Sequence, residues 1–160
     1  EVVFAKTAAL FAAATELGAI LAGQEDKRQY LRNFGMYLGV AFQLVDDALD
    51  YSASEAKFGK TVGDDFREGK ITLPAILAYT QGTAEERAFW ERALGNHQEQ
   101  RDDDFAQAIL LTTKHGTIRA ALTEAKTYCD KAAASLDSFP SSAAKDALLE
   151  TLSFCIARGY

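Results

Sequence analysis

The sequence is poor in the residues that interrupt helices and in those that build disulfide or soft-metal sites. It contains two prolines, two cysteines and two histidines in 160 residues. So few prolines argue against a β-sandwich with many turns, and the alanine-rich stretches with Leu, Glu and Lys favour an all-α chain. Basic residues are a minority, since the net charge is −6 and no basic cluster occurs, so nucleic acid is not an expected partner. Length and composition suit one compact domain or half of a larger one.

Several common catalytic fingerprints are missing as well. No Gly-x-Ser-x-Gly elbow, P-loop or dinucleotide fingerprint appears. His97 and His115 have no Glu three residues before them, which excludes the Glu-x-x-His signature of di-iron bundles. Cys129 and Cys155 form no CxxC pair and lie among apolar residues, so we expect both to be buried and reduced, as in a cytosolic protein. The chemistry must therefore rest on Asp, Gln, Lys and Thr.

One apolar stretch, residues 2–22, is about long enough to span a bilayer. Lys6 and Glu16 interrupt it, and much of the remainder is alanine. A helix that is apolar on all sides fits a protein interior as well as a membrane, and we expect this one to be buried inside a helical protein. No signal peptide is visible, and the chain begins with Glu1. We expect it to be part of a longer protein whose upstream segment packs on this helix.

Helical periodicity runs through almost the whole chain, which we expect to be a single domain because no repeat or linker interrupts it. A polar loop over residues 52–70, with three glycines and charges of both signs, is the expected mobile element. Thr83 and Glu86 have the spacing of a capping box. The acidic residues 102–104 are expected to cap the next helix and to compensate its dipole. The predicted helices are 2–22, 26–51, 73–80, one that carries Phe89 and Trp90, one from 102–104 to near Gly116, 117–136 and 141–158.

The most informative segment is residues 42–50, which places three carboxylates on an otherwise apolar helix. Asp46 and Asp50 are i,i+4 neighbours on this helix. Gln43 precedes Asp46 by three residues and Asp47 by four, so one face carries the amide and the acids. Enclosed carboxylates are costly unless a cation compensates them. Oxygen ligands without His or Cys favour Mg²⁺ or Ca²⁺ over zinc, and magnesium in turn suggests phosphate.

Three lysines are candidates for binding that phosphate. Lys6 either reaches solvent from a partly exposed turn or binds phosphate with the neighbouring Thr7 hydroxyl as a second donor. Lys60 and Lys70 lie in or at the edge of the glycine-containing loop, where a solvated charge is the ordinary interpretation. Their closeness in sequence to the aspartates favours one shared cluster of anion and metal. Residues 102–104 are a competing metal candidate, although helix capping is sufficient to explain them.

Together these residues resemble the C-terminal half of the trans-isoprenyl diphosphate synthases. Four motifs occur in that family's order, and a weaker likeness continues to the final helix, so the resemblance covers essentially the whole chain. Within the family, the spacing is most similar to that of bacterial enzymes that make octaprenyl or decaprenyl diphosphate for quinone side chains. The four motifs are residues 6–11, 39–50, 59–60 and 65–74.

The resemblance implies an isoprenoid synthase-type helical bundle around a deep cavity, of which residues 1–160 are the C-terminal part. Residues 46–50 match the family's second aspartate-rich motif, and the first motif would lie upstream of Glu1. The implied activity is a Mg²⁺-dependent prenyltransferase that condenses isopentenyl diphosphate with an allylic diphosphate such as farnesyl diphosphate. Ionisation, condensation and elimination are its steps. The resemblance also implies a homodimer, while the reduced cysteines indicate the cytoplasm and the lack of a basic amphipathic helix favours at most peripheral membrane contact.

The resemblance also implies roles for individual residues. Asp46 and Asp50 are expected to ligate Mg²⁺, with Asp47 as a supporting acid that acts directly or through water. The other implied residues bind the diphosphate or steady the reacting carbon chain, and they are Lys6, Thr7, Phe42, Gln43, Lys60 and Lys70.

Two other functions share part of this pattern. A class I terpene cyclase has the same fold, but its second metal motif usually carries Asn, Ser or Thr and Glu in place of the acids found here. A non-catalytic regulatory subunit of a heteromeric synthase would not need an intact metal motif. Chain elongation is therefore the expected activity, and the length of the product is not encoded in this part of the family's sequence.

Overall fold

The computed structural model describes residues 7–52, 62–95 and 99–159, and no strand occurs within these ranges. The predicted all-α class is confirmed. A short 3₁₀ turn, Glu25–Lys27, precedes the second α-helix. The α-helices are α1 (Ala9–Leu21), α2 (Arg28–Leu49), α3 (Asp64–Arg67), α4 (Leu73–Gln81), α5 (Ala84–Gly95), α6 (Asp104–Lys114), α7 (Thr117–Ala134) and α8 (Ala143–Ala157).

The chain divides into two compact units. The first comprises Glu1–Val45 and Thr123–Tyr160, and the second comprises Asp46–Leu122. The first unit therefore contains α1, most of α2, most of α7 and all of α8. The second contains the last turn of α2, then α3 to α6 and the start of α7.

In the first unit, two glycines of α2 allow a close approach to the first helix. A Cβ on Gly39 would lie 2.6 Å from the Cα of Ala8, and one on Gly35 would overlap the backbone of Phe11. Close approach of this kind requires residues without a side chain. The packing fixes the start of the first helix against the middle of α2.

The side of α1 that faces away from α2 carries exposed leucines. Ala12 and Ala19 are buried, whereas Leu10 and Leu21 are 75% and 79% exposed. The reason is that the small residues seven positions apart face α2, which leaves the large residues on the opposite face. None of the described helices is long and apolar enough to cross a membrane.

The core of the second unit is aromatic. Tyr51, at the end of α2, lies edge-on to Phe66 of α3, with ring centroids 6.5 Å apart. Phe66 also contacts Phe105 of α6, with centroids 5.6 Å apart. Such pairs each add about 0.5–1.5 kcal/mol beyond the area that they bury. They hold α3 against the end of α2, so the predicted polar loop over residues 52–70 contains a packed helical turn.

Of the two predicted helix caps, one is confirmed and the other differs in the structure. The capping box is confirmed, because Glu86 accepts the Thr83 N–H at 2.9 Å while Thr83 Oγ1 accepts the Glu86 N–H at 3.4 Å. Capping by residues 102–104 is wrong in its detail, since Asp103 occupies the N-cap position without a side-chain capping bond. Asp104 instead accepts the Arg101 N–H at 2.8 Å.

Candidate functional site

The first unit brings two of the predicted site residues together. The Thr7 hydroxyl donates to Gln43 Oε1 at 2.7 Å, and Gln43 is 5% exposed. Beside it, the ring of Phe42 lies 5.8 Å from the ring of Phe11, and the guanidinium of Arg158 lies 5.0 Å over its face. The close packing of the first helix on α2 therefore places a hydroxyl, an amide and an aromatic face on one part of α2.

The aspartates of the second unit occupy different environments. Asp47 is buried and 5% exposed, whereas Asp46 and Asp50 are partly exposed. Burial raises the pKa of the Asp50 carboxyl above its ordinary value, and the nearby charge of Asp65 raises it further, while the backbone N–H groups of Phe66, Gly63 and Asp65 offset part of the rise. Asp50 Oδ1 accepts the Gly63 N–H at 3.1 Å, but Oδ2 is buried with no hydrogen-bond partner among the residues that the structure describes. Such an atom is stabilised by a cation.

Lys70 lies near this acidic group but is already paired. Its Nζ atom is 2.5 Å from Asp65 Oδ1 and 2.6 Å from Glu68 Oε2. The hydrogen bond to Asp65, and then that to Glu68, raises the pKa of Lys70 above its ordinary value. The lysine is therefore fully charged at neutral pH, and a diphosphate would have to replace these carboxylates as its partner.

Asp65 and Tyr51 are two members of this group that the sequence prediction did not assign. Tyr51 is 1% exposed, and burial raises the pKa of its hydroxyl above the ordinary value, with smaller contributions from Asp50, Asp65 and Asp47. The hydroxyl therefore keeps its proton. Asp65 belongs to a motif that was recognised in the sequence, and that motif was the available signal. Tyr51 had no sequence signal beyond its place next to Asp50.

The described residues do not form a metal site from three protein ligands. No group of three or more His, Cys, Asp or Glu side chains in those ranges converges on one point. Successive residues of a helix point about 100° apart, so Asp46 and Asp47 face different directions. One or two carboxylates with substrate phosphates and water are nevertheless the usual ligands of Mg²⁺. The unpaired Oδ2 atom of Asp50 and the oxygen-only donor set fit such an ion.

Two predicted residues, Lys6 and Lys60, lie outside the described residues. The competing metal candidate at residues 102–104 has a structural explanation. Asp104 is 5% exposed, and Arg92 donates to both of its carboxylate oxygens at 2.6 and 2.7 Å. This hydrogen bond lowers the pKa of Asp104 below its ordinary value. Asp104 is therefore already paired with a protein cation.

Comparison with known proteins identifies relatives of this chain. Residues 1–111 match the sequence model of the family described as Polyprenyl synthetase. The octaprenyl diphosphate synthase of Haemophilus influenzae is 38% identical over 161 residues, which cover 100% of this chain and 48% of that protein. The octaprenyl diphosphate synthase of Escherichia coli is 36% identical over 163 residues, covering 99% of this chain and 49% of that protein. The chain spans about half the length of these curated relatives.

Solved structures show the same likeness. A decaprenyl diphosphate synthase from Rhodobacter capsulatus has a TM-score of 0.90 and 42% identity, over 99% of this chain and 49% of that one. A polyprenyl synthase from Caulobacter crescentus, complexed with calcium and isoprenyl diphosphate, has a TM-score of 0.90 and 46% identity, over 99% and 48% of the two chains. The resemblance that the four motifs predicted is confirmed, and the chain belongs to the polyprenyl synthetase family.

Proposed function

We propose that the protein is a trans-polyprenyl diphosphate synthase, which lengthens an allylic diphosphate by condensing it with isopentenyl diphosphate. The observation that carries the proposal is Asp50, whose Oδ2 atom is buried without a hydrogen-bond partner in the described part of the chain. Folding around such a carboxylate is costly unless a cation binds it. The Caulobacter crescentus relative, solved with calcium and isoprenyl diphosphate, supports a cation and a diphosphate as the ligands.

Asp46 and Asp50 are the proposed protein ligands of Mg²⁺, with Asp47 as a supporting acid directly or through water. When bound, the cation would draw negative charge from the allylic diphosphate and weaken its C–O bond. Asp50 fits this role because its carboxylate keeps one oxygen free of hydrogen bonds among the residues described. Asp65, which raises the pKa of Asp50, would add negative charge that strengthens cation binding.

Three lysines would act on the departing diphosphate. Lys6, Lys60 and Lys70 supply positive charge, which stabilises the leaving group as its bond to carbon breaks. For Lys70 this requires a change of partner from Asp65 and Glu68 to the diphosphate oxygens. The bond to isopentenyl diphosphate forms at the allylic carbon, and loss of a proton regenerates an allylic diphosphate that is one isoprene unit longer.

The residues of the first unit would orient and stabilise the reacting carbon chain. The hydroxyl of Thr7 fixes the amide of Gln43 by a 2.7 Å hydrogen bond, so that the amide dipole has one orientation. The ring of Phe42 would contact the bound substrate beside this amide. Arg158 and Phe11 hold this ring in place from two sides.

We further propose a long-chain all-trans product that serves as a quinone side chain. The octaprenyl and decaprenyl names of the relatives support this length. Residues 1–160 would form the C-terminal part of a single domain whose upstream half supplies the first aspartate-rich motif. A homodimer in the cytoplasm, with at most peripheral membrane contact, is the proposed form.

Product analysis tests this proposal. The whole protein that carries this chain is incubated with labelled isopentenyl diphosphate and several allylic primers, and the products are resolved by length. A polyprenyl diphosphate of defined length is expected, and that length gives the product specificity of the enzyme. A cyclised hydrocarbon would identify a terpene cyclase instead. If no primer gives a product alone but a partner synthase is activated by addition of the protein, it is a regulatory subunit.

A further inference from the structure

The two cysteines of the sequence lie against each other between α7 and α8. Cys129 and Cys155 are both free and buried, at 6% and 3% exposure. Cys129 Sγ is 4.0 Å from the carbonyl oxygen of Leu152, which lies one helical turn before Cys155 on α8. The two cysteines therefore lie on neighbouring turns of α7 and α8.

The helix that carries Cys129 is built for a close approach at this point. Ala125 and Ala132, four residues before and three after Cys129, are fully buried on the same face. Residues with no side chain beyond Cβ allow the two helix backbones to come close. A disulfide requires such short separations, with Cα atoms usually about 4.4–6.8 Å apart. The position of Cys129 beside the turn that precedes Cys155 favours such a separation.

A groove gives small molecules access to Cys129, on the turn of α7 that lies beside Cys155. It has a volume of about 350 Å³, and Cys129 lines it together with Lys126, Asp130 and Ser153. The neighbouring Cys129 thiol lowers the pKa of Cys155, and the Cys155 thiol raises the pKa of Cys129. Cys155 is therefore the sulfur that more readily becomes a thiolate, which is the reactive form.

We propose that Cys129 and Cys155 are an oxidation site, at which a peroxide converts the two thiols into a reversible disulfide between α7 and α8. The Cys155 thiolate attacks one peroxide oxygen, the O–O bond breaks, and the products are a sulfenic acid and hydroxide, which takes up a proton. Cys129 sulfur then attacks the sulfenic sulfur, the S–O bond breaks, and water leaves with the Cys129 proton. In sum, two thiols and one hydrogen peroxide give one disulfide and two waters.

The disulfide would fix the end of α8. Cys155 lies three residues before Arg158, whose guanidinium lies over Phe42. A covalent link on the preceding turn stabilises the folded state chiefly by limiting the unfolded chain. The oxidised protein is therefore expected to unfold at a higher temperature than the reduced one. Neither cysteine takes part in the proposed prenyl transfer, so this site is independent of that function.

Peptide mapping of the whole protein tests the proposal. The protein is treated with hydrogen peroxide, free thiols are blocked with iodoacetamide, and trypsin is added. Cleavage after Lys126, Lys131, Lys145 and Arg158 separates residues 127–131 from residues 146–158. We expect a linked pair of these peptides, lighter by about 2 Da than the sum of the two free thiol peptides, which disappears after dithiothreitol. A mixture of ¹⁵N-labelled and unlabelled protein should give no mixed pair, since the link lies within one molecule.

Two variants and a redox titration complete the test. In Cys129→Ser, Cys155 should react with dimedone as a trapped sulfenic acid, whereas Cys155→Ser should leave Cys129 largely unmodified. In the wild-type protein, the fraction linked in a fixed glutathione buffer should be higher in the native state than in concentrated urea. Retention of both free thiols, overoxidation of Cys155 without a link, a mixed isotopic pair, or equal linkage in urea would each overturn the proposal.

Discussion

Asp50 accepts a hydrogen bond from the backbone N–H of Gly63, which lies 13 residues later in the chain, at 3.1 Å. This bond joins the end of α2 to the start of α3. It satisfies one carboxylate oxygen and leaves the other buried without a partner in the described residues. The fold thus holds an acid in a position where burial makes its charge costly, and backbone N–H groups at the start of α3 offset part of that cost.

Replacement of Asp50 by Asn is expected to stabilise the protein in the absence of divalent cations. Burial and Asp65 raise the pKa of Asp50, so the folded state disfavours its charge at neutral pH. This cost falls as the pH is lowered through the raised pKa. The difference in unfolding temperature between Asp50→Asn and the wild type should therefore shrink at mildly acidic pH. Thermal unfolding at neutral and mildly acidic pH with a chelator measures both effects. Asp103→Asn, at an exposed aspartate, is the control. A lower unfolding temperature for Asp50→Asn at neutral pH would show that Asp50 is stabilised by the protein alone.

Replacement of Gly63 by Ala is expected to destabilise the second unit. Gly63 has a φ of +87°, and a Cβ there would lie 2.5 Å from the ring of Phe105. Strain at such a φ costs about 1–2 kcal/mol, and the clash adds to it. Gly116 is a matched control, since it has a φ of +63° but no atom within 4 Å of its Cβ position. Chemical denaturation should show a larger loss for Gly63→Ala than for Gly116→Ala. Equal losses would mean that Phe105 moves aside without cost.

Replacement of Asp104 by Ala is expected to lower the free energy of unfolding without abolishing prenyl transfer. The change removes the acceptor of two short hydrogen bonds from Arg92 and of the hydrogen bond from the Arg101 N–H. The loss of one partner of such a pair is expected to cost about 2–4 kcal/mol. Asp103→Ala, at an exposed neighbour, should stay within about 0.5 kcal/mol of the wild type. Denaturant titration gives both values. An unchanged stability for Asp104→Ala combined with lost product formation would instead support residues 102–104 as metal ligands.

Replacement of Thr7 by Val is expected to lower product formation while the fold is retained. Valine has nearly the same shape but cannot donate to Gln43 Oε1, so the amide loses its fixed orientation. A single hydrogen bond of this kind is worth about 1 kcal/mol, which predicts a loss in kcat/KM of roughly fivefold to tenfold. Thr7→Ser keeps the hydroxyl and should retain most of the rate. Steady-state kinetics of the whole protein decides this, and equal rates for Val and Ser would show that the hydroxyl does not act on Gln43.

Features set by short sequence separations could be predicted from the sequence. The capping box of Thr83 and Glu86 depends on residues three apart, and Pro74 in the first turn of α4 is compatible with a helix start wherever it occurs. The helix that carries Asp46 and Asp47 follows from the helical periodicity in the same way. The burial of Cys129 and Cys155 was also predicted, because their neighbours are apolar.

Features that depend on long-range packing could not be predicted. The turn α3 exists because Phe66 packs on Tyr51 and Phe105, and no local signal indicates those contacts. The pairing of Asp104 with Arg92 requires that α5 and α6 pack together, and the partner of Lys70 was unknown until Asp65 was located. The orientation of α1, with exposed leucines, likewise depends on which face meets the glycines of α2.

The most direct test of the central claim is the Mg²⁺ dependence of prenyl transfer in aspartate variants of the whole protein. Incorporation of labelled isopentenyl diphosphate into extractable product is measured over a Mg²⁺ titration for the wild type, Asp46→Asn, Asp50→Asn and the control Asp103→Asn. We predict that the wild type and the control need Mg²⁺ equally. Asp46→Asn and Asp50→Asn should lose at least about a hundredfold in kcat/KM. Wild-type rates and Mg²⁺ dependence in Asp50→Asn would contradict the assignment of this carboxylate to the cation site.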